Sequence, residues 1–321
     1  MSAIALDLVI AFVVIGGLVV FAFVAERWIE RAVPPQGRIL ELDGERLHVL
    51  DAGSGPPLVM IHGLSGQMAN LTHSLLERLA MNFRVVAFDR PGSGYSPRRS
   101  GSPAGLAAQA ASLATAIRAL KIERPTIVGH SLGGAVALKL ALDHPDCVGA
   151  LALVAPLTHA VQKPPLIFEG LAIRSPLLRH VLYWTVAAPS VLLTRNWGAR
   201  LVFAPEAPPQ DFATAGGGLL AMRPSNMNAA SEDMNAVNDD LVSMPARYGT
   251  LHLPVGVLFG RDDPILDWRS QGDALKAEIP GLDLELVDGA GHMLPVTRPD
   301  VTAAFIRRIA ARVAGAANAA A

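Results

Sequence analysis

Gly129-His130-Ser131-Leu132-Gly133 stands between the apolar run "TIV" and the small, apolar "GAVALKLAL". A strand entering and a helix leaving would put Ser131 at the tip of a tight turn. The flanking Gly129 and Gly133 clear the space where strand and helix crowd together. A serine hydroxyl is a weak nucleophile until a base takes its proton. His292, in the glycine loop "DGAGHMLP", is the candidate base. Its imidazole needs a carboxylate to fix the tautomer and stabilise the charged form. "GRDDPILD" supplies two, Asp262 and Asp263, directly after an apolar run. The preceding strand ends "LVAP" and offers none. Attack on a carbonyl also needs two N–H donors for the developing oxyanion. The backbone of Leu132, just after the serine, is one candidate. Leu64, in the loop after "VMIHG", is the other, with Gly63 permitting close approach.

Other chemistry finds less support. The nine histidines show no metal-ligand spacing, and the one cysteine, Cys147, has no disulfide or metal partner, so neither a metal nor a cofactor is expected. His62 and His130 flank glycine turns and read as backbone supports. His48, His73, His144, His159, His180 and His252 read as solvated or internally satisfied. Charged residues make up 17% of 321, with net charge −1 and no basic run, which argues against a nucleic-acid partner.

These residues require a scaffold. "RILELDG" and "ERLHVLDAG" predict a hairpin turning at Asp43-Gly44. Further on, "PPLVMIHG", "FRVVAFD", "PTIVGHS" and "VGALALVAP" alternate with helical spacing. One of those helices is predicted to open with Ser102 as N-cap and Pro103 in its first turn. Continuous apolar strands between helices imply a mostly parallel sheet covered on both faces. The rhythm stops for about ninety residues of helical, proline-rich sequence and resumes at "LPVGVLFGRDDP". The expected organisation is an anchor and linker at 1–35, core at 36–156, a helical cap at 157–250 and core again at 251–321. A final helix near Pro299–Ala314 would be followed by a frayed alanine-rich tail. Met222, Met227, Met234 and Met244, with Trp184 and Trp197, suggest as a set a flexible apolar pocket in the cap, although ordinary cap packing is the favoured reading for any one of them.

Leu8–Ala25 is 18 residues without a charge, roughly 27 Å as a helix, enough to cross a bilayer's hydrocarbon. Trp28 suits the headgroup interface, and Pro34-Pro35 end the helix. The run lacks a basic residue before it and a small-residue cleavage site after it, so an uncleaved transmembrane anchor is expected rather than a signal peptide. Arg27, Arg31 and Arg38 on one flank predict a cytoplasmic body. Nothing in the sequence sets an oligomeric state.

Taken in order, "HGLSG" at 62–66, "DRPGSGYS" at 89–96, "GHSLGG" at 129–134, "GRDDPI" at 260–265 and "GAGHMLP" at 289–295 resemble the motifs of the α/β-hydrolase superfamily. The similarity is to its serine-nucleophile, capped branch, with esterase-, monoacylglycerol-lipase- and proline-iminopeptidase-like members. The resemblance implies the α/β-hydrolase fold: an eight-stranded, mostly parallel sheet flanked by helices, with a helical cap. It implies that Ser131, Asp263 and His292 act as a triad, because relatives place the acid third after the turn glycine; Asp262 stays the alternative. With serine rather than aspartate as nucleophile, dehalogenase and epoxide-hydrolase chemistry is not expected. The expected function is cofactor-free hydrolysis of an ester with a lipophilic acyl chain. Amide, thioester or C–C bond hydrolysis and perhydrolysis use the same triad, and a receptor module with little turnover is the non-enzyme alternative.

Overall fold

Eight strands form one sheet in the computed structural model, which describes residues 2–99 and 101–319, the side chains beyond residue 313 excepted. The strands are β1 (Arg38–Leu42), β2 (Glu45–Ala52), β3 (Pro57–Ile61), β4 (Arg84–Phe88), β5 (Thr126–His130), β6 (Ala150–Val154), β7 (Val255–Gly260) and β8 (Asp283–Val287). Their order in the sheet is β1-β2-β4-β3-β5-β6-β7-β8. β1 and β2 form the hairpin around Asp43-Gly44, and β2 is antiparallel to β4; every other pairing is parallel. β5, β6 and β7 are buried at every residue, which is why they read as unbroken apolar runs.

Helix α1 (Ala3–Ala32) precedes the sheet. Helices α2 (Ala69–Leu79), α3 (Leu106–Ala119) and α4 (Leu132–Asp143) follow β3, β4 and β5. The helix expected from Ser102 starts later, at Leu106, with Gly105 at its N-cap. The reason lies far along the chain. The Leu106 N–H donates to Asp240 Oδ2 at 2.7 Å, so the helix is capped across the fold and needs no local serine.

Between β6 and β7 the chain forms an all-helical segment: α5 (Pro176–Leu182), a π turn at Tyr183–Ala187, α6 (Ala188–Phe203), α7 (Pro224–Ser243) and α8 (Pro245–Tyr248). After β7 come α9 (Ala274–Glu278), α10 (Leu294–Thr297) and α11 (Pro299–Ala319). The last helix therefore continues through most of the alanine-rich tail, while Ala320 and Ala321 lie outside the described residues. Leu71 and Leu75 of α2 and Phe305 and Ile309 of α11 pack on one face of the sheet. Leu113 of α3, Leu138 of α4 and Leu275 of α9 pack on the other.

α1 has two environments. Ile4 and Phe12 are 72% and 80% exposed, whereas Ala22, Ala25, Glu26 and Ile29 are buried. The buried end packs against the π turn, α6 and the short 3-10 turn at Gly218–Met222. Ile29 and Val33 join Leu219 and Leu220 in a separate apolar cluster. α1 is the one helix among the described residues long and apolar enough to cross a membrane.

Candidate active site

β5 delivers the chain to Ser131, which has φ 55° and ψ −124°. This left-handed, non-glycine conformation is strained and needs a surrounding structure that holds it. Ser131 N–H donates to Val154 O at 3.1 Å, and Ser131 O accepts from the N–H groups of Gly134 and Leu157 at 2.8 and 3.0 Å. A Cβ on Gly133 would sit 2.2 Å from Ile61 O, and one on Gly129 would sit 2.6 Å from Gly133 O. Neither position admits a side chain, so the motif's glycines are steric requirements of this turn.

The loop after β3 lies directly against the serine. A Cβ on Gly63 would come within 3.4 Å of Ser131 Oγ. The N–H groups of Leu64 and Leu132 donate to no protein acceptor among the described residues, and Leu132 opens α4, where first-turn donors are free.

His292 follows β8, and its Nδ1–H donates to Asp263 Oδ2 at 2.7 Å. Both side chains are buried. Asp263 Oδ1 accepts from the N–H groups of Ile265 and Leu266 at 2.8 and 3.0 Å, so three donors fix this carboxylate. Asp262 points elsewhere: its Oδ2 accepts from Gly289 N–H at 3.1 Å. The structure thus brings Asp263, and not Asp262, to His292. It draws no direct hydrogen bond between Ser131 and His292.

The two neighbouring histidines support backbone. His130 Nε2–H donates to His292 O at 3.1 Å, and the rings lie 4.9 Å apart. Burial, followed by the nearby His292, pushes the His130 pKa down to about 3. His62 donates from Nδ1 to Gly63 O at 2.9 Å and accepts the Arg90 N–H at 3.0 Å. Burial and the Arg90 charge lower its pKa to about 3 as well. Both rings are neutral, with tautomers set by these bonds.

Three supporting residues were assigned no role from the sequence. Arg90, within "DRPGSGYS", is fully buried and donates to His62 O and Gly63 O at 3.0 and 2.8 Å. It pairs with Asp233 of α7 at 2.8 Å. Glu206, after α6, accepts Gly291 N–H at 3.3 Å beside His292. The place of Arg90 inside "DRPGSGYS" was a usable signal; Asp233 and Glu206 carry no local signal. The methionines and tryptophans expected to share one pocket are dispersed. Met244 is in the main core, Met222 packs beside Ile29, Trp197 is half-exposed, and Trp184 faces a different cleft. Helix packing, invisible in residue type, sends each to a different neighbour.

The chain is 30% identical to an uncharacterized protein of Mycobacterium tuberculosis (strain H37Rv) over 83% of this chain and 78% of that one. It is 28% identical to the 2-hydroxy-6-oxononadienedioate/2-hydroxy-6-oxononatrienedioate hydrolase of a Pseudomonas species, over 78% and 87%. Among solved structures, a membrane phospholipase A superposes with a TM-score of 0.69 at 22% identity. That fold likeness covers 98% of this chain and 99% of the other, so it takes in the N-terminal helix. The α/β-hydrolase fold family matches residues 56–299, and the chain belongs to that family.

Proposed function

We propose that this chain is a serine hydrolase that cleaves a carboxylic ester through an acyl-enzyme. The family and its hydrolase relatives support hydrolysis. One observation carries the finer reading: a serine in a strained turn beside two free N–H groups, with a buried His292–Asp263 pair at 2.7 Å. Ser131 Oγ attacks the carbonyl carbon as His292 Nε2 takes its proton. Asp263 holds the imidazole in the tautomer with Nδ1–H and stabilises the imidazolium. The Leu64 and Leu132 N–H groups stabilise the oxyanion. His292 returns the proton to the leaving alcohol, and water then releases the acid by the same path. Hydrogen bonds between nucleophile and base often tighten only when substrate is bound, so the absent Ser131–His292 bond is compatible with this sequence. No cofactor enters any step.

We further infer that α1 is a retained membrane anchor and that the acyl group is lipophilic. The burial of Ala22 and Ile29 against the cap supports retention over cleavage. Arg27, Arg31 and Arg38 favour a cytoplasmic body. Cleavage of a C–C bond is the second reading, favoured by the likeness to the Pseudomonas hydrolase.

The test is a fluorophosphonate probe with the full-length protein in detergent. Wild type is expected to label and Ser131→Ala not to; an unlabelled wild type would sink the activated-serine reading. A series of p-nitrophenyl esters should favour medium or long chains, and a sharp preference for acetate would contradict the lipophilic acyl group. Turnover of a dienoic C–C substrate with no ester turnover would favour the second reading.

A further inference from the structure

A cleft of about 1580 Å³ lies away from Ser131: its lining includes neither Ser131 nor His292. It lies between the last turns of α1, the β1–β2 hairpin, the 92–104 loop, α5 and α7. Arg38, Arg46, Arg98, Arg99, Arg179 and Arg223 line it, against four carboxylates, Glu26, Glu30, Glu232 and Asp239. Those carboxylates are partly used up. Glu232 is shared by Arg98 and Arg179 at 2.8 and 2.9 Å, and Glu30 pairs with Arg223 at 3.2 Å. Arg38 and Arg99 have no ion pair among the described residues, and neither do Glu26 and Asp239, so the six arginines outnumber the four carboxylates by two.

The polar accounting points the same way. Seven buried side-chain atoms lack a hydrogen-bond partner among the described residues, and four belong to residues lining this cleft. They are Arg98 Nε, Arg223 Nε, Asn226 Nδ2 and His48 Nε2. The four side chains are 7%, 6%, 2% and 2% exposed. Three of the four atoms are N–H donors. Buried donors are ordinarily paired, so the wall of this cleft holds an unusual share of unspent donors. Arginine forks match phosphate oxygens in particular.

We propose that this cleft binds the phosphate of an anionic phospholipid headgroup. The ligand chemistry is a phosphate ester; the choice of a lipid source rests on the reading of α1 as an anchor. Glu26 and Glu30 stand where the apolar helix ends, and Trp184 shares the cleft, an amphipathic ring suited to headgroup depth. A positively lined cleft at that depth meets lipid phosphates at the high local concentration of the bilayer surface. The headgroup would hold the hydrolase body against the membrane at a point separate from Ser131.

Full-length protein in mixed micelles tests this with a fluorescent phosphatidylglycerol, against phosphatidylcholine and soluble glycerol 3-phosphate. Saturable binding of phosphatidylglycerol over phosphatidylcholine is expected. Arg38→Gln/Arg99→Gln should weaken it roughly tenfold or more, as removal of two arginines near an anionic surface predicts, with turnover of a soluble ester unchanged. These two arginines are exposed, so the variant avoids the buried Arg98–Asp233 pair and should fold. Equal binding of the two lipids, or binding unaltered in the double variant, overturns the proposal. Glycerol 3-phosphate binding as tightly as the lipid overturns the lipid source. Carbonate washing of membranes tests the anchor independently: retention with no phosphatidylglycerol preference sinks the cleft alone, and release sinks the anchor.

Discussion

Asp262 and Asp263 are neighbours in sequence, yet only Asp263 meets the imidazole of His292. If Asp263 orients that ring, Asp263→Asn should lower kcat by roughly 10³–10⁴-fold, because the amide favours the wrong tautomer. Asp262→Asn should cost less than about tenfold, since it removes only an exposed bond to Gly289. Reversed effects in ester kinetics would transfer the role to Asp262. The buried histidines make a second residue-level prediction. In the unfolded chain each ring takes up a proton as pH falls through about 6.5; folded His62 and His130 do so only near 3. The unfolded state therefore binds more protons between those values, so stability rises with pH there and is lost as pH falls. Each ring accounts for about 2 kcal/mol of lost stability between neutral pH and pH 5. His130→Gln, whose amide can still reach His292 O, should flatten the dependence of urea-unfolding free energy on pH by about one proton between roughly pH 4 and 6. An unaltered slope would mean that His130 is not held neutral.

At the level of elements, the cap grips both loops that carry the site. The end of α6 presses on the His292 loop: a Cβ on Gly291 would lie 2.0 Å from Ala204 O, and Phe203 packs with Met293 and Val296. α7 reaches the other loop through Asp233 and Arg90, whose guanidinium holds the carbonyls of His62 and Gly63. Asp233→Asn leaves a fully buried Arg90 without its counter-ion and should destabilise the fold by about 3 kcal/mol. It should also lower kcat, because the loop bearing Leu64 loses its clamp. Wild-type melting temperature and kcat in this variant would show that the cap does not hold that loop. This coupling marks the boundary of what the sequence made legible. "TIV", "LALV" and "VGVLF" read as buried strands from their length and their flanking turns, and Ser131 and His292 stood out between glycines whose crowding is local. Asp240 capping α3, Asp233 holding Arg90, and the scattering of Met222 and Met244 depend on residues far apart in the chain. Periodicity and spacing carry no signal for such contacts.

The whole molecule presents one lopsided surface. The outer part of α1 is apolar and uncovered, and its inner end docks beside the π turn and α6. On that same helical stretch Val186, Leu193 and Trp197 share a stripe at spacings of seven and four, and all three are exposed, Leu193 by 85%. Leu177 and Val181 of α5 are exposed as well. Uncovered apolar area next to a membrane-length helix is the arrangement expected where a body rests on a bilayer, since both surfaces leave water together. If so, the stripe governs access to membrane-dissolved substrate rather than the chemistry at Ser131. Leu193→Glu/Trp197→Glu in the full-length protein should then reduce hydrolysis of a long-chain ester embedded in vesicles by tenfold or more. Each substitution replaces burial of a large side chain, about 2 kcal/mol, with the cost of bringing a carboxylate to the acyl boundary. Hydrolysis of a soluble short-chain ester by the same variant should stay within about twofold, because neither residue touches the site. Equal losses on both substrates would mean that the stripe supports the fold of the cap; no loss on either would mean that the bilayer does not meet this face.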